Sequence, residues 1–345
     1  MAHRIARDGD QDREKVESQG ESVPGGDSTR GMRSRRSRRL QRSPLGVRNG
    51  LNPTRVRIPE SAVDGMRAFD VLTHMISTQR HRHPDDGEQA IMQRFHEGLV
   101  ATVDGPCEPD DLLFPGQDLW FYRMPAPETP LGEECCVLFS DEHLLVVDKP
   151  AGMATMPRGR HQTQTALVQL RMKTSNPDLV PAHRLDRLTS GILVFIANPA
   201  VRGAYQSLFS KPGLVRKTYE ALAAHDPRIS AGTRWSSFME KKVGDLQARS
   251  TDTQPHNALT EVLAVEPLPG KPGMARYSLR PYTGKTHQLR RHMNDAGVPI
   301  LGDPLYPVVL PEAEDDTTLH LMSRSISFID PISGEERFFE APRRW

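Results

Sequence analysis

Cysteine is scarce in this 345-residue chain: Cys107, Cys135 and Cys136 are the only three, and their spacing fits neither a disulfide framework nor a paired metal site. The adjacent Cys135 and Cys136 read as filling at a strand edge. Long apolar runs are missing too, and none approaches the roughly 20 residues a membrane helix needs. The opening segment MAHRIARDGDQDREKVESQG lacks the apolar core of a secretory signal, and its acids are foreign to a mitochondrial leader. These absences point to the cytoplasm, with no membrane partner. No H-E-x-x-H occurs, and His81, His83, His287 and His292 match no zinc signature, so no metal site is expected. A G-x-S-x-G elbow is absent, which leaves an α/β-hydrolase unsupported. The tripeptide GKT at 284–286 ends like a phosphate loop, but the glycine which that motif requires at 279 is replaced by Leu279.

What is present is polar and unevenly charged. The chain is 37% hydrophobic and 26% charged, and its length predicts two folded units plus tails. A net charge of +1 hides an asymmetry: residues 1–50 carry 12 Lys and Arg against 7 Asp and Glu, which leaves 51–345 at −4. The folded body is therefore no general binder of polyanions, and any RNA it holds must sit in a local cleft. Residues 1–50, rich in Gly, Ser and Arg and without hydrophobic periodicity, read as a disordered tail. Within it RGMRSRRSRRLQR has seven arginines in thirteen positions. Such a run either draws RNA in without sequence choice, or is a solvated tail, or precedes a true start at Met32.

A small α+β unit is expected over 54–124. AVDGMRAFDVLTHMI has helical spacing, with Met66, Phe69, Leu72, Met75 and Ile76 on one face. GEQAIMQRFHEGL reads as a second helix ending near Gly98, and VATVDG and FPGQDLWFYR as strands. MPAPETPLG at 124–132 is a proline-rich linker. The larger unit, 133–345, mixes strands and helices. CVLFSDEHLLVVDKPAG suggests two strands around an Asp-Glu turn, and GILVFIA, GLVRKTYEALAA and ARYSLRPYTG are further strands. TQTALVQLRMKTS and PAVRGAYQSLFS read as helices, as does THQLRRHMNDAG, with Thr286 near its N-cap and Gly297 past its end. A C-terminal hairpin turns at Ser-Gly. Strands outnumber helices and neighbours share turns, so the expected class is α+β with a mixed or antiparallel sheet.

Three segments of the larger unit carry candidate chemistry. HRLDRLTSG, 183–191, packs His183, Arg184 and Asp186 before a polar turn and a buried strand. Its Ser-Gly end allows close backbone approach, so Asp186 can point into a cleft from an anchored position. RKTYEA presents Tyr219, a ring with a polar tip. TGKTHQLRRH opens a helix whose first turns carry Lys285, His287, Arg290 and Arg291, a phosphate-friendly terminus. Each has a plainer reading: Asp186 in a buried ion pair, Tyr219 in the core, and Arg290 and Arg291 on a solvated face. Residue types alone leave both open.

These segments closely resemble the RluA-type pseudouridine synthases. HRLDRLTSGILVFIA resembles that family's catalytic segment, and DEHLLVVDKPAGM, VRKTYEA, TGKTHQLRRHM and GDPLYP are similar to its successive motifs in the family order. The resemblance spans about 134–342. It implies a mixed, largely antiparallel sheet with flanking helices, and the isomerisation of uridine to pseudouridine in structured RNA, ribosomal RNA ahead of tRNA. Carried over by position, Asp186 is the essential carboxylate, Arg290 its basic partner, and Tyr219 the ring that stacks on the target base. Arg184 fills the gap left when the nucleotide flips out, with His183, Lys285, His287 and Arg291 as further RNA contacts. An isomerisation needs no cofactor, and a monomer is expected. Lys285 stands where the family commonly has arginine, and the two differ in bidentate phosphate recognition. The 54–124 unit faintly resembles the alpha-L RNA-binding domain, through EGLVATVDG and PGQDLWFYR. Two other readings compete: a non-catalytic RNA-binding or ribosome-assembly factor, which has no need to keep Asp186, Tyr219 and Arg290 together, and a glycosidase-like hydrolase, which lacks a second carboxylate.

Overall fold

The computed structural model describes residues 43–311 and 318–343. Residues 1–42, most of the expected arginine-rich tail, lie outside them. The segment 54–121 contains β1 (Thr54–Arg57), β2 (Met66–Arg67), α1 (Ala68–Ser77), α2 (Glu88–His96), β3 (Val100–Thr102), β4 (Gly105–Pro106), β5 (Leu112–Leu113) and β6 (Asp118–Phe121). Four of these strands form an antiparallel sheet in the order β1-β6-β3-β4. Leu72, Ile76, Ile91, Phe95, Leu119 and Phe121 share one hydrophobic core here. The first helix is displaced from the expected face. Gly65 takes a φ of +82° and Met66 pairs with Leu113 in a strand, so the helix starts at Ala68. Its buried side is Ala68, Val71, Leu72 and Ile76, with Phe69 and Met75 only partly covered.

From Cys135 the chain builds β7 (Cys136–Ser140), β8 (Leu144–Lys149), α3 (Ala166–Thr174), β9 (Val180–Pro181), β10 (Ser190–Ile196), α4 (Arg202–Ser210), β11 (Val215–Ala224), β12 (Arg234–Glu240), β13 (Arg249–Thr251), β14 (Ala258–Pro267), β15 (Met274–Pro281), α5 (Gln288–Asp295), β16 (Leu321–Ile329) and β17 (Glu336–Glu340). Among the described residues eleven strands form one sheet, in the order β13-β12-β14-β15-β11-β16-β10-β8-β7, with β17 on β16 and β9 on β10. The β10–β16 pair is parallel and the other pairs are antiparallel, so the sheet is mixed and largely antiparallel.

The central strands are covered on both faces, which is why they read as unbroken apolar runs. Leu145, Val147, Leu193 and Phe195 face one core with Leu167 and Leu170 of α3 and Leu289 and Met293 of α5. The alternate residues Leu144, Val146, Ile192, Val194 and Ile196 face another with Tyr205 and Leu208 of α4. Val201 and Phe209 pack against that second core partly buried.

Two local features position the elements that carry the candidate residues. At Gly191 the φ is +101°, and a Cβ there would lie 2.2 Å from the carbonyl oxygen of Ser323; only glycine lets β10 and β16 approach this closely. The start of α5 differs from expectation. Thr286 is not the N-cap; His287 is, with left-handed backbone (φ +57°) and no side-chain cap bond. Gln288 turns back on the preceding loop, its Oε1 taking hydrogen bonds from the Lys285 amide at 3.1 Å and Thr283 Oγ1 at 2.7 Å, which fixes the chain entering the helix.

Candidate active site

Asp186 lies in the turn leading into β10, and the backbone around it is fixed from three directions. Thr155 Oγ1 donates to the Leu185 carbonyl at 2.9 Å and accepts from its amide at 3.1 Å. The Thr189 amide closes the turn on the Asp186 carbonyl at 3.1 Å. Lys149, wholly buried at the end of β8, donates Nζ to the carbonyls of Pro150, Met153 and Arg187. Burial brings the Lys149 ammonium down to about 7, against the opposing pull of Cys135 and Asp186. Three carbonyl acceptors around one buried amine make it a strut under the turn.

The Asp186 carboxylate itself is about one-third exposed (34%). Arg290 Nη1 approaches its Oδ2 at 3.7 Å and His287 Nε2 at 4.0 Å. Arg290, from the first turn of α5, is almost fully buried. Burial works against its charge, but two bonds to Asp303 and the charges of Asp303 and Asp186 outweigh that and hold it above the usual range. Burial pushes the Tyr219 hydroxyl up to about 12; a bond to Ser323 opposes this and the charge of Asp186 adds to it. Tyr219 therefore stays a neutral phenol, a ring and a donor rather than a phenolate base. Its strand is irregular just there, with a register shift between Thr218 and Tyr219 opposite Ser325 and Ser323.

The other expected site residues divide. Arg184 and Lys285 are exposed. His287 belongs to the constellation, with Nδ1 3.2 Å from Tyr306 Oη. His183 and Arg291 are not brought to the carboxylate. His183 accepts the Val194 amide at Nε2 and stacks on Phe209 at 5.3 Å, so its ring serves packing beside β10. Arg291 points elsewhere on α5, paired to Asp295 at 2.7 Å and donating to Ser250 Oγ. Residue types and spacing give no role to Lys149, Thr155, Asp303, Tyr306 or Lys241. Lys149 lies in DKPAG and Asp303 and Tyr306 in GDPLYP, motifs whose local pattern does not disclose their chemistry. Lys241, which feels the charge of Asp186, lies in no motif. Asp186 lines neither of two cavities, of about 620 and 500 Å³, and its carboxylate stays partly open to solvent.

Three histidines give this body a pH response. Burial lowers His287 and His292 to about 4, and holds His183 well below its usual range. His287 and His292 are neutral in the folded chain near pH 5.5 yet largely protonated once unfolded, where the ordinary value is 6.5, and His183 is shifted in the same direction. The unfolded state then binds more protons, so stability present above 6.5 is lost as the pH falls toward 4. Each histidine is expected to contribute up to about 1.4 kcal/mol per pH unit in that window. Urea unfolding at about pH 7 and about pH 5 measures the slope, and His292→Gln should remove one proton from it. A flat profile would contradict the assignment.

A family profile described as RNA pseudouridylate synthase matches residues 143–295, the stretch that holds Lys149, Asp186, Tyr219 and Arg290. The dual-specificity RNA pseudouridine synthase RluA of Escherichia coli O6:H1 is 31% identical over 214 residues, covering 60% of this chain and 92% of that protein. The chain belongs to the RluA-type RNA pseudouridine synthase family. It is thus an isomerase that converts uridine to pseudouridine in RNA. The ribosomal large subunit pseudouridine synthase D of Neisseria meningitidis serogroup B is 28% identical over 289 residues, 75% of this chain and 72% of that one. In fold, the chain is similar to human RNA pseudouridylate synthase domain containing 1, with a TM-score of 0.50 at 23% identity over 63% of this chain and 86% of that structure.

Proposed function

We propose that this synthase modifies a uridine in structured ribosomal RNA, with Asp186 as the reacting carboxylate. The observation that carries this reading is the placement of Asp186: a one-third exposed carboxylate on a pinned turn, faced by a buried Arg290 and a neutral His287. In the reaction the N1–C1′ bond breaks, C1′ joins carbon 5, the carbon-5 proton leaves to solvent and N1 takes up a proton. No net redox change or group donor is involved. Tyr219 supplies the ring on which the base rests, and exposed Arg184 occupies the space the flipped nucleotide leaves. Lys241 and Lys285 extend positive charge around the mouth.

In this reading the expected units divide the work, with the chemistry in 133–345 and 54–124 offering RNA contacts. The smaller one holds 7 Arg against 12 Asp and Glu, and Arg55, Arg57, Arg67 and Arg94 are all ion-paired. Its RNA contacts then fall to Arg80, Arg82 and Arg123. No helix among the described residues is long and apolar enough to cross a membrane, and the synthase works as a cytoplasmic monomer in this reading. A purely binding role is disfavoured because it gives Asp186 nothing to do. Pseudouridine mapping of cellular RNA with and without the protein is the test: a single pseudouridine missing from ribosomal RNA when the protein is absent is expected, and unchanged ribosomal RNA would refute the substrate assignment.

A further inference from the structure

Arg290 is shared unequally between two carboxylates. Its Nε and Nη2 bond the two oxygens of Asp303 at 2.7 and 2.5 Å, while Nη1 stops 3.7 Å from Asp186 Oδ2. The Asp303 side chain has no exposed surface. Its Oδ1 also accepts the amides of Leu305 at 2.9 Å and Tyr306 at 3.2 Å, so its own loop fixes it in place. The Tyr306 ring lies 5.5 Å from the guanidinium carbon. We propose that Asp303 is a positioning residue that grips the Arg290 fork and stops it short of Asp186, leaving the reacting carboxylate near a cation to which it is not locked. An Arg–carboxylate fork is among the strongest side-chain pairs. Were Asp186 held that way, the pair would stabilise the resting enzyme and would have to open before the carboxylate met the nucleotide. With the fork spent on Asp303, Asp186 keeps only long contacts to Arg290 and His287. Asp303 does not touch substrate and acts only through Arg290.

This inference rests on Asp186 being the reacting group. The test measures single-turnover rates on carbon-5-tritiated RNA, together with RNA affinity, for Asp303→Asn, Arg290→Lys and the double variant of the full chain. In Asp303→Asn the freed guanidinium closes on Asp186, and the rate is expected to fall at least about tenfold with affinity within about threefold. In Arg290→Lys one ammonium cannot serve both acids and goes to the buried Asp303, with a similar loss. The double variant should be faster than the product of the two losses, because each change relieves the other. Multiplicative losses, or Arg290→Lys within about twofold of the unaltered protein, would overturn the proposal. Where circular dichroism shows Asp303→Asn unfolded, Arg290→Lys decides alone. Asp186→Asn, run alongside, separates the two ideas: activity there removes the underlying assignment, whereas an inactive Asp186→Asn with multiplicative losses removes only the role of Asp303.

Discussion

Replacing Asp186 by Asn is expected to reduce turnover by about four orders of magnitude while leaving RNA affinity within a few-fold. The substitution is nearly isosteric, and the backbone it sits on is held by Thr155, Lys149 and the Thr189 amide, so the amide should occupy the same place. What it lacks is charge. No neighbour can replace that charge: Tyr219 keeps its proton until about pH 12, Arg290 is a cation, and the Asp303 carboxylate is bound to Arg290. RNA affinity comes mainly from phosphate contacts, which the change does not touch. Tritium release from RNA labelled at uridine carbon 5 reads turnover directly, because each isomerisation frees that hydrogen. Undiminished release by the variant would end the assignment.

Gly191→Ala is expected to be among the most damaging single changes to the fold near the site, at about 3–5 kcal/mol. Two costs add. An alanine at φ +101° is strained whatever surrounds it, and its Cβ would meet the Ser323 carbonyl oxygen at 2.2 Å, with the Ser323 amide nitrogen and carbonyl carbon at 2.9 Å. Backbone atoms cannot turn aside as a side chain can. Relief requires β10 and β16 to part at their parallel contact, Ser190 with Met322 and Gly191 with Ser323. Ser323 is also opposite Tyr219, so the movement reaches the Tyr219 ring, and the residual folded enzyme should be slow as well as unstable. Urea unfolding gives the first quantity and single-turnover kinetics the second. A midpoint unchanged from the parent would show that the two strands can part freely, against the expectation.

The elements around the site were largely legible in the residues. The apolar run after Gly191 is β10, the Asp-Glu turn joins β7 to β8 with the Asp141 carboxylate capping the His143 and Leu144 amides, and RKTYEA lies within β11. Helix starts were less so. Thr286 is the conventional capping type and lies one residue before the N-cap, but His287 in left-handed backbone occupies the cap position itself, without a side-chain cap bond. Met66 fits a helical face by spacing, yet its pairing with the distant Leu113 makes it a strand residue.

Of the site, the sequence by itself determined the chemical types and their attachment: a carboxylate before a buried strand, a tyrosine within one, an arginine in the first turn of a helix. Periodicity and local turn chemistry carry that much, since they act over a few residues. Residue types alone left open which arginine faces Asp186; the motif resemblance named Arg290, and the tertiary structure gives the physical reason. Arg290 and Arg291 are adjacent in sequence, but successive helical positions are about 100° apart. One therefore enters the cleft beside Asp186 and Asp303, and the other turns to Asp295 and Ser250. Likewise the strut from Lys149 to Arg187 and the Arg290–Asp303 pair join segments whose meeting no local pattern announces. They exist because burial demands a partner for every charge and carbonyl brought out of water, and the fold alone selects which partner is near.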